Sequence, residues 1–369
     1  MNSMVEWKKL DDLLDFEQPT PYLVKSTEYD DSYNIPVLTA GQSLLLGYTN
    51  EKEGIYRASK ENPTIIFDDF TTSFHWIDYD FKVKSSAMKM LRPRRGINFR
   101  YVYYSMCGIN FIPGGHQRHW ISKYSQFEIP FPKESEQNRI VCILDTFTSA
   151  IENLKEQIAQ RRKQYEYYRD QLLDLERKEG VEMKTLGEIC DTLSGFPFDS
   201  SQFTDTGIRL MRGMNIKRGY FDFSEENNKY WERADGLEKY LLEANDIIIS
   251  MDGSLVGRSF CYLNAEHLPL LLVQRVARIR TRENYKYIYY NITKGFPDYV
   301  DKKKTAGAIP HISMKDINGF VIPVPSKKDQ QRIVSILDTF EASISNLEAQ
   351  LKQREKQYEY YRNKLLTFE

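Results

Sequence analysis

The sequence predicts an α+β protein made of two domains of mixed α/β character, each followed by a long helix. The first observation behind this prediction is an internal repeat: residues 139–176 and 332–369 align without a gap and are identical at roughly two-thirds of positions. The second is that both copies show helical spacing of apolar residues and contain no Pro or Gly. The third is a shorter repeat, VEWKKLDDLLD at 5–15 and VEMKTLGEICD at 181–191, which makes the repeated unit a domain followed by a helix.

These repeats predict four segments along the chain. The first domain covers 1–132, its helix and a polar link cover 133–180, the second domain covers 181–325, and the second helix covers 326–369. Within the domains, short apolar runs separated by Gly, Asn, Asp and Pro are typical of strands. The clearest runs are 35–38, 64–67 and 81–83 in the first domain and 208–211, 246–250 and 271–280 in the second.

Each predicted helix carries one apolar seam. The seam runs from Ile140 to Leu175 in the first copy and from Ile333 to Phe368 in the second, in alternating steps of four and three residues. This spacing is typical of a coiled coil. Because such a seam is poorly stable in water on its own, we expect the two helices to pair with each other.

Two further signals concern the helices. Arg161 and Arg354 fill the same gap in the two seams, and we expect them to set the alignment by pairing across the seam. Ser326, followed three residues later by Asp329, predicts a capped start for the second helix.

Composition limits the possible classes of protein. With 369 residues, 41 % of them hydrophobic, the chain is long enough for two or three domains with substantial cores. The formal net charge of −1 means that any contact with nucleic acid must use local basic patches. The four cysteines form no CxxC pair, which argues against zinc and a disulfide framework and suits a reducing cytoplasm. We expect neither a signal peptide nor a membrane span.

The sequence shows no catalytic motif. It contains no GxxxxGK[ST] loop for ATP, and its nearest approach to the Asn-Pro-Pro-aromatic motif of adenine methyltransferases, at 62–64, lacks the second proline. We interpret Asp68 and Asp69 as a turn after a strand, because no further carboxylate or Lys completes a nuclease-like set nearby. His116 and His119 have metal-ligand spacing but no neighbouring Cys, His or acidic cluster, so we interpret them as loop residues. We therefore expect no catalytic, cofactor or metal site.

Several phrases of the sequence, taken together, resemble one family. The second half contains LGEICDTLSGFPF, RGMNI, DIIISMDGSLVGR and GAIPHISMKDINGFVIPVP, and the first half contains FEQPTPYLVKS, PVLTAGQS, GYTNEKEGIY and IIFDDFTT. Because they recur around two domain–helix units, these phrases resemble the specificity subunits of type I restriction-modification systems over essentially the whole chain.

This resemblance implies a role within a complex. In that family each domain is a target-recognition domain that reads one half of a split sequence in double-stranded DNA. The two helices pack antiparallel, act as a ruler between the half-sites and dock two methyltransferase (M) subunits, which bring S-adenosylmethionine and methylate adenine N6. Motor-nuclease (R) subunits can join this cytoplasmic complex. The specificity subunit itself has no active site.

Side-chain chemistry suggests which residues contact DNA. Arg, Lys, Asn and Gln read base edges, Lys, Arg, Ser and Thr also hold phosphates, and a glycine lets the backbone approach the DNA. In the first domain we predict contacts from Thr39, Gly41, Gln42, Thr71, Thr72, Ser73, His75, Lys84, Ser85, Ser86, Lys89, Arg92, Arg94, Arg95, Gln117 and Arg118. In the second domain we predict contacts from Arg212, Asn215, Lys217, Arg218, Ser250, Asp252, Ser254, Arg258, Gln274, Arg275, Lys302, Lys303, Lys304, Thr305, Gly307 and His311.

The helices also suggest a surface for a protein partner. Both contain the block KQYEYYR, at 163–169 and at 356–362. Tyr167 and Tyr360 fall off the apolar seam, so we predict that they contact a partner. The other tyrosines of each block lie on the seam and are expected in its core.

The predicted mechanism is geometric. Antiparallel helices would relate the two units by a pseudo-two-fold axis, and the domains would meet one face of DNA about one to two helical turns apart, at roughly 34–36 Å per turn. Since the domains differ in sequence, the split target should be asymmetric. Two other classes stay open at this point. One is a solitary DNA-binding regulator or decoy without a methyltransferase. The other is a coiled-coil scaffold for protein partners, which would show no salt-dependent affinity for DNA.

Overall fold

A computed structural model describes residues 5–41, 43–115, 117–303 and 310–368. Four residues predicted to contact DNA lie outside the described residues, namely Gln42, Lys304, Thr305 and Gly307, and so does His116. Contacts divide the chain into a first unit, residues 1–156 with 348–369, and a second unit, residues 157–347.

The first unit begins with the first domain, an α+β fold in three small sheets. Its elements are β1 (Glu6–Lys9), α1 (Leu10–Leu13), β2 (Leu14–Glu17), β3 (Ile35–Leu38), β4 (Leu45–Thr49), β5 (Thr64–Asp68), β6 (Phe74–Ile77), β7 (Lys82–Val83), β8 (Met88–Pro93), α2 (Phe99–Met106) and β9 (Glu128–Phe131). The strand orders are β2-β8-β5-β6, β4-β3-β7 and β1-β9. The long helix α3 (Glu134–Leu173) follows.

The second domain repeats this topology. Its elements are β10 (Glu182–Thr185), α4 (Leu186–Ile189), β11 (Cys190–Ser194), β12 (Ile208–Met211), β13 (Tyr230–Trp231), β14 (Ile247–Ser250), β15 (Phe260–Tyr262), β16 (Leu270–Leu272), β17 (Val276–Thr281), α5 (Tyr285–Lys303), α6 (Met314–Asn318) and β18 (Val321–Val324), and the long helix α7 (Lys327–Leu366) follows. The strand orders are β11-β17-β14-β15, β13-β12-β16 and β10-β18. Sheet by sheet, each strand of one domain therefore has a counterpart in the other.

Strand pairing fixes which residues of the two domains are equivalent. In the first domain Phe67 of β5 lies opposite Lys89 of β8. In the second domain Ile249 of β14 lies opposite Ala277 of β17. The two central strands are buried throughout their apolar runs, as expected for a strand covered on both faces.

The strand predictions were mostly confirmed. Strands occupy Ile35–Leu38 and Ile208–Met211 as predicted. The run at 271–280 is not one strand, because it contains β16 and β17 with a turn between them. Arg275, at a φ of 65°, reverses the chain there. Apolar patterning alone did not reveal this turn.

Each long helix is 40 residues in length, which corresponds to roughly 60 Å at 1.5 Å per residue. Each helix begins before its copy of the repeat, at 139–176 or 332–369, and ends before that copy does. The predicted cap of α7 is confirmed, because Asp329 N donates to Ser326 Oγ at 3.2 Å and Ser326 Oγ donates to the Asp329 carboxylate at 2.8 Å.

Segments of the two long helices pack together within each unit. In the first unit the ring of Phe147 stacks on Tyr361 with centroids 5.3 Å apart, and Lys155 Nζ lies 3.6 Å from Glu355 Oε1. The residue numbers rise along one helix as they fall along the other, so these segments run antiparallel.

The second unit repeats this arrangement. The ring of Tyr168 stacks on Phe340 at 5.4 Å, and Tyr165 Oη donates to Glu341 Oε1 at 3.1 Å. Aromatic residues of the predicted seams thus make the contact in both units.

Arg161 and Arg354 each approach an aromatic ring of the other long helix. Arg161 lies 5.8 Å from the centroid of the Phe340 ring, and Arg354 lies 5.8 Å from that of Phe147. A guanidinium at this distance from an aromatic face is attracted by the ring quadrupole. Each arginine thus contacts the other helix across the seam, and its role in setting the alignment stays a prediction.

Candidate nucleic-acid interface

Most of the predicted contacts of the first domain lie on one loop surface. This surface consists of residues 39–41 and 43 after β3, residues 69–75 from the end of β5 into β6, residues 84–87 after β7, and residues 117–123. Hydrogen bonds join its segments: Ser73 Oγ donates to Ala40 O, and His75 Nε2 lies 3.0 Å from Gly41 O.

The loop surface of the first domain offers mainly hydroxyl and basic groups. Its exposed members are Thr71, Lys84, Ser86, Gln117 and Arg118, and its half-buried members are Thr39, Gly41, Ser73, His75 and Ser85. Thr39 Oγ1 accepts a hydrogen bond from Gly41 N at 3.0 Å and so shapes the turn. Thr72 is buried and adopts a φ of 58° at the tip of the hairpin.

The predicted arginine cluster lies elsewhere. Arg92, Arg94 and Arg95 come at the opposite end of β8 from the 84–87 segment. Arg92 Nε donates to Tyr56 Oη at 2.6 Å, and Arg94 Nε donates to Asp15 Oδ1 at 3.1 Å. These contacts hold Arg92 and Arg94 away from the loop surface of the first domain.

Four of the predicted contact residues are buried, namely Thr72, Lys89, Asn215 and Ser250, and Lys89 and Asn215 lie inside the cores. Lys89 is 1 % exposed and pairs with Asp69. Asn215 is fully buried, and its amide donates to the carbonyl oxygens of Asp222 and Asn227 at 2.9 and 3.1 Å. Neither side chain can reach a ligand from solution without rearrangement, so we leave both out of the proposed DNA surface. Lys and Asn are common in DNA contacts, and nothing in the sequence separated these two from exposed examples.

The loop surface of the second domain lies at the equivalent edge and forms a cavity. It follows β12, β14 and β16, the counterparts of β3, β5 and β7. The cavity has a volume of about 480 Å³, and it is lined by Arg212, Gly213, Met214, Ile216, Lys217, Ser250, Asp252, Gly253, Ser254, Leu255, Ser259, Val273, Gln274 and Arg275. Seven of the predicted residues are therefore brought together here.

Polar contacts organise this cavity. Arg275 Nη1 donates to Asp252 Oδ2 at 2.9 Å, and Asp252 forms a backbone bridge with His311. Ser250 is buried, and its hydroxyl donates to Asp252 O at 3.2 Å. Gln274 and Ser254 are exposed at the rim.

The remaining predicted residues of the second domain that the structure describes do not line this cavity. Arg258 makes a two-pronged ion pair with Asp301 of α5 at 2.6 and 3.1 Å. Arg218 is exposed, and so are Lys302 and Lys303 at the carboxyl end of α5. The Arg258 guanidinium is thus already paired with a carboxylate of its own domain.

One important group of residues was not identified from the sequence. The phrases NFRYVYY at 98–104 and NYKYIYY at 284–290 are a further repeat. They begin the equivalent helices α2 and α5 and fasten each domain to its long helix. Tyr104 Oη donates to Asp145 Oδ1, and Tyr290 Oη donates to Asp338 Oδ1 at 2.6 Å. The repeat itself was the signal that could have revealed this junction.

The two junctions differ in one charged group. In the first unit Tyr104 Oη also contacts Thr148 Oγ1 at 3.2 Å. In the second unit Tyr290 Oη contacts Glu341 Oε2 at 3.0 Å instead. Burial raises the pKa of the Glu341 carboxyl above its ordinary value, although hydrogen bonds from Tyr290 and Tyr165 oppose the shift.

The predicted partner surface on the helices is exposed. Tyr167 is 61 % exposed and Tyr360 is 59 % exposed. Among the described residues, no group of three or more His, Cys, Asp or Glu side chains could hold a metal ion. No helix in the described part of the chain is both long enough and apolar enough to cross a membrane.

Two domains of one topology, each with a loop surface at the same edge, define a duplicated recognition protein. The sequence profile of the type I restriction modification DNA specificity domain matches residues 2–161 and 178–356. The chain belongs to this family of type I restriction-modification specificity subunits, and like its relatives it is a non-catalytic subunit.

Individual relatives agree with this assignment, and a solved structure shares the fold. The chain is 41 % identical to the specificity subunit of the type I restriction enzyme EcoR124I/EcoR124II of Escherichia coli, covering 99 % of this chain and 94 % of that protein. It is 28 % identical to the putative specificity subunit S.HindORF215P of Haemophilus influenzae, covering 99 % and 96 %. The crystal structure of the type I restriction-modification S subunit from M. genitalium superposes with a TM-score of 0.66 at 18 % identity, covering 100 % of this chain and 98 % of that one.

Proposed function

We propose that each domain reads one half of a bipartite, asymmetric sequence in double-stranded DNA through its loop surface. The observation that carries this proposal is the pair of loop surfaces. The two surfaces lie at the same edge of the same topology, but their side chains differ. In the first domain exposed Gln117 and Arg118 supply amide and guanidinium donors. In the second, Gln274 and Arg275 do so from a different loop. These are groups that read base edges and hold phosphates.

The long helices are proposed to set the spacer between the half-sites and to dock two methyltransferase subunits. Helices of 40 residues are stiff over a distance longer than one turn of DNA. Tyr167 and Tyr360 occupy the same place in the repeat and are both exposed, which suits one kind of partner bound twice. Those partners would supply S-adenosylmethionine and methylate adenine N6. Motor-nuclease subunits would join the same cytoplasmic assembly.

A methylome comparison tests this function. Genomic DNA from the host is compared with DNA from a strain that lacks this gene. We expect N6-methyladenine to disappear from one split, asymmetric motif and from no other. If no motif changes in a strain that expresses the methyltransferase, the proposal is wrong, and a solitary DNA-binding regulator becomes the better interpretation.

A further inference from the structure

A buried ion pair lies directly beneath the loop surface of the first domain. Asp69, which follows β5, and Lys89 of β8 are each 1 % exposed, and Lys89 Nζ lies 2.9 Å from Asp69 Oδ2. Lys89 Nζ also donates to Gln18 Oε1 at 3.2 Å. A buried charge that loses its partner is strongly destabilising, so these contacts hold the Asp69 carboxylate in one place.

The other oxygen of Asp69 fastens a recognition segment. Trp120 N donates to Asp69 Oδ1 at 2.9 Å, and His119 N donates to Asp69 O at 2.8 Å. Trp120 is 1 % exposed and packs edge-on against Phe67 of β5. The two residues immediately before this attachment are the exposed Gln117 and Arg118. The hydrogen bonds to Asp69 therefore fix the position of Gln117 and Arg118 on the loop surface.

The second domain satisfies the equivalent backbone group in another way. Ile312 N donates to Met251 O at 2.9 Å, so Met251 corresponds to Asp69 and Ile312 to His119. The next amide, Ser313 N, donates to Asp316 Oδ2 at 3.2 Å, a carboxylate of its own segment. Both domains thus bind this amide with a carboxylate, but the first domain takes the carboxylate from the turn that follows β5, and the second takes it from the segment that carries the amide.

We propose that Asp69, held by Lys89, is a positioning residue for DNA reading in the first domain. It does not contact DNA. It fixes Gln117 and Arg118 at the distance and angle that base recognition requires. This inference rests on the proposed function and adds to it a determinant of specificity beneath the surface.

The physical reason is the cost of an unpaired amide. A buried N–H without an acceptor is unfavourable, so without the Asp69 carboxylate the segment moves until Trp120 N finds another partner. Hydrogen bonds to base edges weaken steeply with distance and angle. Displacement of Gln117 and Arg118 should therefore reduce discrimination at one half-site and leave the other half-site unaffected.

Two matched variants test the proposal. D69N/K89M removes the ion pair but keeps an amide oxygen to accept from Trp120 N. D69L/K89M removes the same charges with a side chain of similar size and no acceptor. Replacing both members of a buried ion pair by uncharged groups is far less costly than replacing one. The two variants therefore differ chiefly in the hydrogen bond to Trp120.

The measurement is methylation by the complete complex with its methyltransferase subunits. Substrates are duplexes that carry the native split target or one altered base pair in either half. We expect discrimination at one half-site to fall about tenfold in D69L/K89M and to stay within about twofold of wild type in D69N/K89M, with the other half-site unchanged in both. Thermal unfolding of each complex shows whether the two variants are equally folded.

The possible outcomes distinguish a failure of the proposed function from a failure of the positioning role of Asp69. If the wild-type complex methylates no split target, the proposed function is wrong. If the wild type discriminates and D69L/K89M discriminates as well as D69N/K89M, the positioning role is overturned. It is also overturned if both variants lose discrimination equally, or if both half-sites are relaxed together, because a general loss of folding would then explain the result.

Discussion

At the scale of single residues, the two domain–helix junctions show how one design accommodates different side chains. Each uses a tyrosine hydroxyl that donates to an aspartate of the long helix, and each adds a cation, Arg100 in the first unit and Lys286 in the second. The second unit also places Glu341 against Tyr290. Two carboxylates then share one hydroxyl, so the second junction depends more heavily on its tyrosine than the first does.

This dependence predicts unequal losses from two identical substitutions. Tyr290→Phe removes a donor from both Asp338 and Glu341, and we expect it to lower the free energy of unfolding by about 2–3 kcal/mol. Tyr104→Phe should cost about 1–2 kcal/mol, because Tyr104 donates to one carboxylate only, that of Asp145. Urea unfolding measures both, with Tyr167→Phe on the exposed helix surface as a control near zero. Equal losses at the two junctions would contradict this account.

Glu341 also predicts a dependence of stability on pH. Its pKa is raised in the folded chain, so the folded state binds more protons than the unfolded state between the ordinary glutamate pKa and the raised value. Stability contributed by this group is therefore lost as pH rises through that window. Glu341→Gln does not titrate; its amide oxygen can accept from Tyr165, and its NH2 group can donate to the hydroxyl oxygen of Tyr290, which still donates to Asp338. We expect the variant to gain stability over wild type at pH 7 and to lose that advantage as pH falls towards about 4.5.

Urea unfolding at several pH values from 4.5 to 7 measures this difference. Glu355→Gln is the control, since Glu355 lies in the same helix with a half-exposed side chain paired to Lys155. An advantage of Glu341→Gln that stays constant or grows as the pH falls would show that burial does not govern this carboxyl.

At the scale of elements, the sequence predicted what periodicity and repetition encode. The long helices, the capped start at Ser326 and most strands follow from spacing and end signals. The turn at Arg275 was missed because apolar residues flank it on both sides. The burial of Lys89 could not be predicted either, because its partner Asp69 follows another strand, β5, and only the folded sheet brings the two together.

The length of the long helices is predicted to set the spacer between the two half-sites. Removing one turn from 154–164 together with the equivalent turn from 347–357 keeps the antiparallel segments aligned and shortens each helix by about 5.4 Å. We expect the preferred spacer between the half-sites to shorten by one or two base pairs, at roughly 3.4 Å each. The methylome of a host carrying the variant measures the spacer. Replacing the link 177–180 by Gly and Ser is the control that should leave it unchanged, and a fixed spacer in the deletion variant would refute the ruler.

At the scale of the whole molecule, duplication makes the protein modular. The two domains share their strand order, both long helices have 40 residues, and the tyrosine–aspartate junction is present in each unit. The loop surfaces, by contrast, share little: Gln117 and Arg118 have no counterpart in kind at 310–311. If the target is asymmetric as proposed, its asymmetry must come from the loop surfaces.

A chain in which the first repeat is used twice tests this reasoning. We expect residues 1–176, joined through 177–180 to a second copy of 1–176, to direct methylation to a split palindrome of the half-site that the first domain reads. Two identical loop surfaces should recognise identical half-sites on opposite strands, since the repeated helices can pair with their own copies as they do with each other. Sequencing of methylated DNA from a host with this chain and the methyltransferase gives the motif directly. Methylation of the original asymmetric motif by this chain would show that specificity is not carried by the individual domains.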